Sequence, residues 1–221
     1  MKEAVAASET SDFGVPEYLS WDELQQLPDE VVEGIELWDR KVIWNRRGPM
    51  MHQRFSRRIC NAIEDCARRA TRDSTDGGEQ QCWEVETETN VFFADDKSSF
   101  LTPDFVVRRC MPRDADTFAS DVALVGEVLS ASDIPKRREW KKQRYAEGGI
   151  PWYWEVELDP SRQDISAVRA YELVIVPSAG LEVKLLRPAV YGLAGEWEPR
   201  DIGIDIPAPF DIHISWEDLA Y

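Results

Sequence analysis

Two carboxylates sit where the sequence otherwise asks for buried strand. Asp104 follows Pro103 and opens the run Phe105-Val106-Val107, and Glu127 interrupts Val122-Ala123-Leu124-Val125-Gly126-Glu127-Val128-Leu129. A carboxylate inside such a run is rarely buried unless it is paired or metal-bound. Magnesium takes carboxylate and carbonyl oxygens and keeps several waters, so one or two acids with a substrate phosphate can hold it. Asp104, Glu127 and the backbone carbonyl of Val128 meet that need, because strands pairing side by side bring residues 23 positions apart within reach of one ion. An ion held there lowers the pKa of bound water and stabilises charge on a transferring phosphate. Lys141 offers an ammonium to position the water or neutralise the phosphate, and Tyr145 shares its helical face at i+4. Glu36 is a candidate third acid, as a metal ligand or as a base through water. His52 is a candidate contact to phosphate or to the site.

Each residue also has an ordinary explanation. Proline followed by aspartate is a common turn signal. Lys141 lies in Lys136-Arg137-Arg138-Glu139-Trp140-Lys141-Lys142, where a solvated basic face accounts for it about as well. With His52 and His213 the only histidines, no multi-histidine zinc site can be built. No GxSxG, GxGxxG or Walker loop is present.

The elements that must position these groups follow from periodicity. Val122 to Leu129 reads as a strand buried on both faces. Ser132-Asp133-Ile134-Pro135 starts a helix that Gly148-Gly149 ends, and Trp152 to Leu158 is the next strand, so the order predicts a parallel crossover. Upstream, Ser20-Trp21-Asp22-Glu23 reads as a capping box. Val31 to Trp38 and Lys41 to Trp44 form a hairpin about Asp39-Arg40. Met51, Phe55, Ile59, Ala62, Ile63, Cys66 and Ala70 recur at helical spacing from Met50 to Ala70. The other face of that helix carries Arg54, Arg57, Arg58, Arg68 and Arg69, as a solvated face before a DNA-binding one. Cys82 to Phe93 alternates as a half-buried strand, Leu101 to Arg108 is the next, and Met111 to Ser120 is a loop. Strands at Ala170 to Val176 and Leu181 to Arg187 read as a hairpin about Ser178-Ala179-Gly180.

The 221 residues suit one sizeable core. Residues 1–17 read as a flexible tail and 18–221 as a single domain. The formal charge is −16, yet residues 40–144 hold 20 of the 26 Lys and Arg and 17 of the 42 Asp and Glu, a net of +3. A basic centre between acidic flanks admits DNA and argues against indiscriminate, tight DNA binding. Cys60, Cys66, Cys82 and Cys110 form no CxxC pair and read as reduced packing residues. No leader or membrane span is recognisable, so the expected location is the cytoplasm, away from any membrane.

Taken together, several short stretches resemble the Uma-two family of restriction endonucleases in the PD-(D/E)XK nuclease superfamily. They are Glu36-Leu37-Trp38-Asp39, His52-Gln53, Pro103-Asp104-Phe105-Val106-Val107, Glu127-Val128-Leu129-Ser130, Lys141 with Tyr145, and Gly149-Ile150-Pro151-Trp152-Tyr153-Trp154. The match spans about residues 18 to 219 in order and spacing. The resemblance implies an α/β (α+β) restriction-endonuclease-like core, a mixed central sheet with flanking helices and an N-terminal hairpin. It also implies Mg2+-dependent phosphodiester hydrolysis, with Mn2+ as a substitute ion. Asp104 and Glu127 match the metal-binding acids, Glu36 the N-terminal acid, and Lys141 a catalytic lysine moved onto the helix, with Lys142 as a substitute. The superfamily's usual lysine position is Leu129 here, the turn glycine is Arg40, and the acid before the lysine is Arg137. The expectation is a DNA endonuclease, dimeric because two cuts in a duplex need two sites. The alternatives are a catalytically silent nuclease-fold module binding DNA or a protein partner, or a hydrolase of small phosphate esters.

Overall fold

The computed structural model describes residues 14–45, 48–73, 82–129, 134–161, 164–175 and 189–220. The chain begins with α1 (Trp21–Leu24), α2 (Asp29–Val32), β1 (Ile35–Trp38), β2 (Lys41–Trp44) and α3 (Met50–Asp73). Next come β3 (Trp83–Thr87), β4 (Val91–Phe92), β5 (Phe100–Leu101), β6 (Phe105–Arg109), β7 (Thr117–Phe118) and a 3-10 turn, Ala119–Asp121. The remainder is β8 (Val122–Leu129), α4 (Pro135–Glu147), β9 (Trp152–Leu158), β10 (Ile165–Ile175), β11 (Ala189–Trp197), β12 (Gly203–Ile206), β13 (Ile212–Ser215) and α5 (Trp216–Leu219). This mixed α and β content, with helices flanking mixed sheets, is the class read from the sequence. The chain packs as two compact units, Met1–Arg47 with Phe92–Leu101, and Gly48–Val91 with Thr102–Tyr221.

In the first unit the capping box forms as expected: Ser20 Oγ accepts from Glu23 N–H and the Glu23 carboxylate accepts from Ser20 N–H at 2.7 Å. The strand expected from Val31 starts later. Pro28 is extended at the N-cap and Asp29 and Glu30 fill the first turn of α2, so Val31 and Val32 are helical and β1 begins after Gly34. The hairpin turns on Asp39 and Arg40, both left-handed at φ 51° and 66°. That is the geometry a two-residue hairpin demands, adopted here without glycine. Leu37 pairs with Phe100 of β5. Trp21 stands edge-on to Phe92 and Phe100 at 5.0 and 5.4 Å.

The second unit is organised by a sheet in the order β11-β10-β9-β8-β6-β3. β8 and β9 are parallel and joined through α4, as the strand, helix, strand order requires. Alternation along β8 and β9 divides the sheet into two faces. One carries Leu124, Val128, Trp154 and Val156, which pack with Phe55, Ile59, Ile63 and Cys66 of α3. The other presents Glu127 and Glu155 to α4. The arginine face of α3 is partly used inside the unit: Arg58 donates to the Leu219 carbonyl at 2.9 Å, and Arg68 pairs with Glu64.

Three further expectations are corrected. The strand read over Cys82 to Phe93 breaks at Glu88, whose φ of 49° ends β3 before β4 begins. The strand read from Leu101 likewise divides, because Thr102 to Asp104 lie outside β5 and β6. Cys82 and Cys110 form a disulfide instead of staying reduced. Cys82 precedes β3 and Cys110 follows β6 at the same end of this antiparallel pair, next to the register partners Trp83 and Arg109, which brings their Cα atoms to 5.3 Å. Cys60 and Cys66 are thiols in the buried face of α3. The Leu181 to Arg187 strand and the Ser132-Asp133 cap lie outside the described residues. The described antiparallel partner of the outer part of β10 is β11. Among the described residues no helix is long and apolar enough to cross a membrane.

Candidate functional site

The carboxyl end of β8 collects most of the residues singled out above. Asp104 immediately precedes β6, and Phe105 lies directly across from Gly126. A Cβ at 126 would stand 1.9 Å from the Phe105 ring, so glycine there lets the ring pack over the β8 backbone. This close packing sets Asp104 beside the residue after Glu127, and its Oδ2 accepts from Val128 N–H at 2.6 Å. His52, on the first turns of α3, brings Nε2 to 2.8 Å from the Val128 carbonyl and 3.1 Å from Asp104 Oδ2. A carbonyl only accepts, so Nε2 carries the proton.

Glu127 is served from the other side. Lys141 Nζ donates to its Oε1 at 2.9 Å and Tyr145 O–H to the same oxygen at 2.6 Å. Their i, i+4 spacing on α4 puts both over β8, as read from the sequence. Lys141 is 6% exposed, so the solvated basic face does not describe it. Burial and the neighbouring Glu127 charge hold the Asp104 carboxyl well above the ordinary aspartate range, against the Val128 amide and Lys141, which pull it down.

The donors suit a hard cation. Asp104, Glu127 and the Val128 carbonyl all offer oxygen donors, and a positive charge between the carboxylates would offset the Glu127 charge that helps raise the Asp104 pKa. Among the described residues no group of three or more His, Cys, Asp and Glu side chains gathers as a metal cage. Magnesium does not require one, since it keeps waters and takes substrate oxygens. Glu36 is fully buried in the first unit, where its Oε1 accepts from Asn45 Nδ2 at 2.9 Å.

A second charged group was not read from the sequence. Glu155 on β9 is the register partner of Glu127 and 3% exposed. Lys142 Nζ lies 3.4 Å from its Oε1, Tyr171 O–H donates to Oε2 at 2.9 Å, and Arg138 Nε is 3.9 Å away. Lys142 also sits 3.2 Å from the centre of the Tyr171 ring. Burial pulls its pKa below the usual lysine value while Glu155 pushes it back up. The signal was present: Glu155 interrupts the apolar run Trp152-Tyr153-Trp154-Glu155-Val156 as Glu127 interrupts its own.

The model of the family Uma2, described as "Putative restriction endonuclease", matches residues 21–197. Among solved structures, the chain is similar to a "putative nuclease belonging to DUF820" from Anabaena variabilis ATCC 29413. The TM-score is 0.57 at 16% identity, with 91% of this chain and 97% of that chain covered. At that identity the likeness shows the fold alone. No curated protein matches the chain.

Proposed function

The chain belongs to the Uma2 family, and from that premise we propose that it is a Mg2+-dependent DNA endonuclease hydrolysing phosphodiester bonds. The observation that carries the reading is the approach of Asp104 to the Glu127-Val128 segment. One backbone amide and one packed ring hold Asp104 near Glu127, whose charge helps raise the Asp104 pKa, beside a carbonyl. Asp104, Glu127 and the Val128 carbonyl would hold the ion. Magnesium bound there would supply a water of lowered pKa and offset charge on the phosphate.

The chain's own residues do the rest. Lys141, buried and held by Glu127, presents its ammonium beside the proposed ion ligands, where it orients a water or neutralises a phosphate oxygen. Tyr145 shares Glu127 Oε1 and limits where that carboxylate can turn. His52 donates from Nε2 to the Val128 carbonyl and steadies the Asp104 side. Of the two adjacent lysines, Lys141 is the one on Glu127, which favours it over Lys142 for this role. DNA as substrate, a homodimer supplying two cuts, and a cytoplasmic setting belong to the same proposal.

Supercoiled plasmid incubated with Mg2+ or Mn2+ tests it. The wild type is expected to nick and linearise the plasmid, and Asp104→Ala to lose that activity. Equal activity in the two proteins, or none in the wild type with either ion, overturns the reading. One observation favours the silent nuclease-fold module instead: Asp104, Glu127 and Val128 all find partners inside the protein. Calorimetric titration of Mn2+ separates the two, because the module predicts no saturable binding that Glu127→Ala abolishes.

A further inference from the structure

We infer that Glu155 is a positioning residue for Lys141, acting by holding the neighbouring Lys142 away from Glu127. The inference rests on the role given to Lys141 above. The underside of α4 carries two stripes. Lys141 and Tyr145 both reach Glu127 on β8, while Arg138 and Lys142, again four apart, both reach Glu155 on β9. Glu127 and Glu155 are register partners on adjacent parallel strands, so their backbones stand only about 4.8 Å apart. Two consecutive lysines therefore face two acids separated by one strand spacing.

That arrangement has an obvious failure. Lys142 is largely buried, with 14% of its side chain exposed, and a buried ammonium that loses its anion is destabilised until it finds another or gives up its proton. With Glu155 neutral, the carboxylates left to Lys142 are Glu139 on α4, whose charge already acts on it, and, one strand spacing from Glu155, Glu127, already shared by Lys141 and Tyr145. Lys142 would compete for that carboxylate, and the like charge would drive Lys141 out of its position. Tyr171 fixes the other oxygen of Glu155 and places its ring under the Lys142 ammonium, so the second stripe is held from below as well as by charge. The side-chain partners of Glu155 are Lys142, Arg138 and Tyr171, so its proposed effect on Lys141 runs through Lys142.

The test uses Glu155→Gln, which keeps the volume and a hydrogen-bond partner for Tyr171, alongside Lys142→Met and the double variant. In the metal-free protein, reductive methylation followed by mass spectrometry reads how accessible each lysine is. Glu155→Gln is expected to raise Lys141 labelling on the order of tenfold while Lys97 and Lys136 stay unchanged, since a displaced side chain regains solvent. In plasmid cleavage the same variant is expected to lose kcat on the order of 10- to 100-fold, with KM for DNA unchanged, the scale of a small misplacement of a catalytic group. The decisive arm is rescue. Removing the competing cation in Glu155→Gln/Lys142→Met should return both labelling and kcat toward wild type, whereas a merely structural role for Glu155 predicts that the double variant is worse than either single one. Unchanged Lys141 labelling in Glu155→Gln, or no rescue, overturns the inference. Labelling is read without DNA or metal, so it decides the Glu155 role even if cleavage fails, and failed cleavage tells only against the nuclease reading.

Discussion

Replacing Asp104 by Asn separates the cost of the site from its use. The Asp104 carboxyl stands well above the ordinary aspartate value of 3.8, mainly through burial and then through Glu127. A raised carboxyl pKa means that the folded protein prefers the protonated form. The stability this contributes is complete below the unfolded pKa and is lost as pH rises through the folded one. At neutral pH the ionised carboxyl is thus a burden, at about 1.4 kcal/mol for each unit of elevation. Asn keeps the acceptor for Val128 N–H and carries no charge. Relief of such functional-site strain is expected to stabilise the metal-free protein by about 0.5–2 kcal/mol, and each kcal/mol moves Tm by about 2–4 °C for a chain of this size. Thermal melts in EDTA should show Asp104→Asn above wild type by a margin that widens from pH 4 to pH 8. With Mn2+ at a hundredfold excess over its Kd the order should reverse, because wild type gains about 2.7 kcal/mol and the variant gains little. A variant that melts below wild type in EDTA at pH 8, or a margin that narrows as pH rises, refutes the electrostatic account of the pair.

Two other substitutions probe the packing that makes the site. Glu127→Ala removes the carboxylate that accepts from the Lys141 ammonium, which is 6% exposed, and is expected to cost about 3–5 kcal/mol in urea denaturation; a loss below about 1 kcal/mol would show that the pair is solvated after all. Gly126→Ala forces a Cβ to within 1.9 Å of the fully buried Phe105 ring. It is expected to cost about 1–3 kcal/mol by thermal melt, and a neutral result would mean that the ring does not lie against that backbone.

Legibility in the sequence tracked how local each signal was. The parallel pair β8 and β9 around α4 could be read because apolar runs of strand length bracket a helical segment with proline near its start and glycines at its end. Both the Ser20 box and the Asp39-Arg40 turn depend on neighbours within four residues. Where the outcome depended on distant partners, the reading failed. Cys82 and Cys110, with a sequence separation of 28, meet because β3 and β6 pair antiparallel and bring their outer ends together. The alternation over 82–93 continues through Glu88, but its left-handed backbone ends the strand.

The candidate site divides the same way. Residue type marked Glu127 most clearly, because a carboxylate in an apolar strand is costly enough to need a reason wherever the chain folds, whereas Asp104 and Lys141 each also had an ordinary explanation as a turn residue or part of a basic face. Only the tertiary structure decided which lysine meets which acid. Lys141 and Lys142 are adjacent in the chain and chemically identical. Their pairing with Glu127 and Glu155 follows from the 100° between successive residues on a helix laid across two parallel strands, a relation between elements that no stretch of sequence contains.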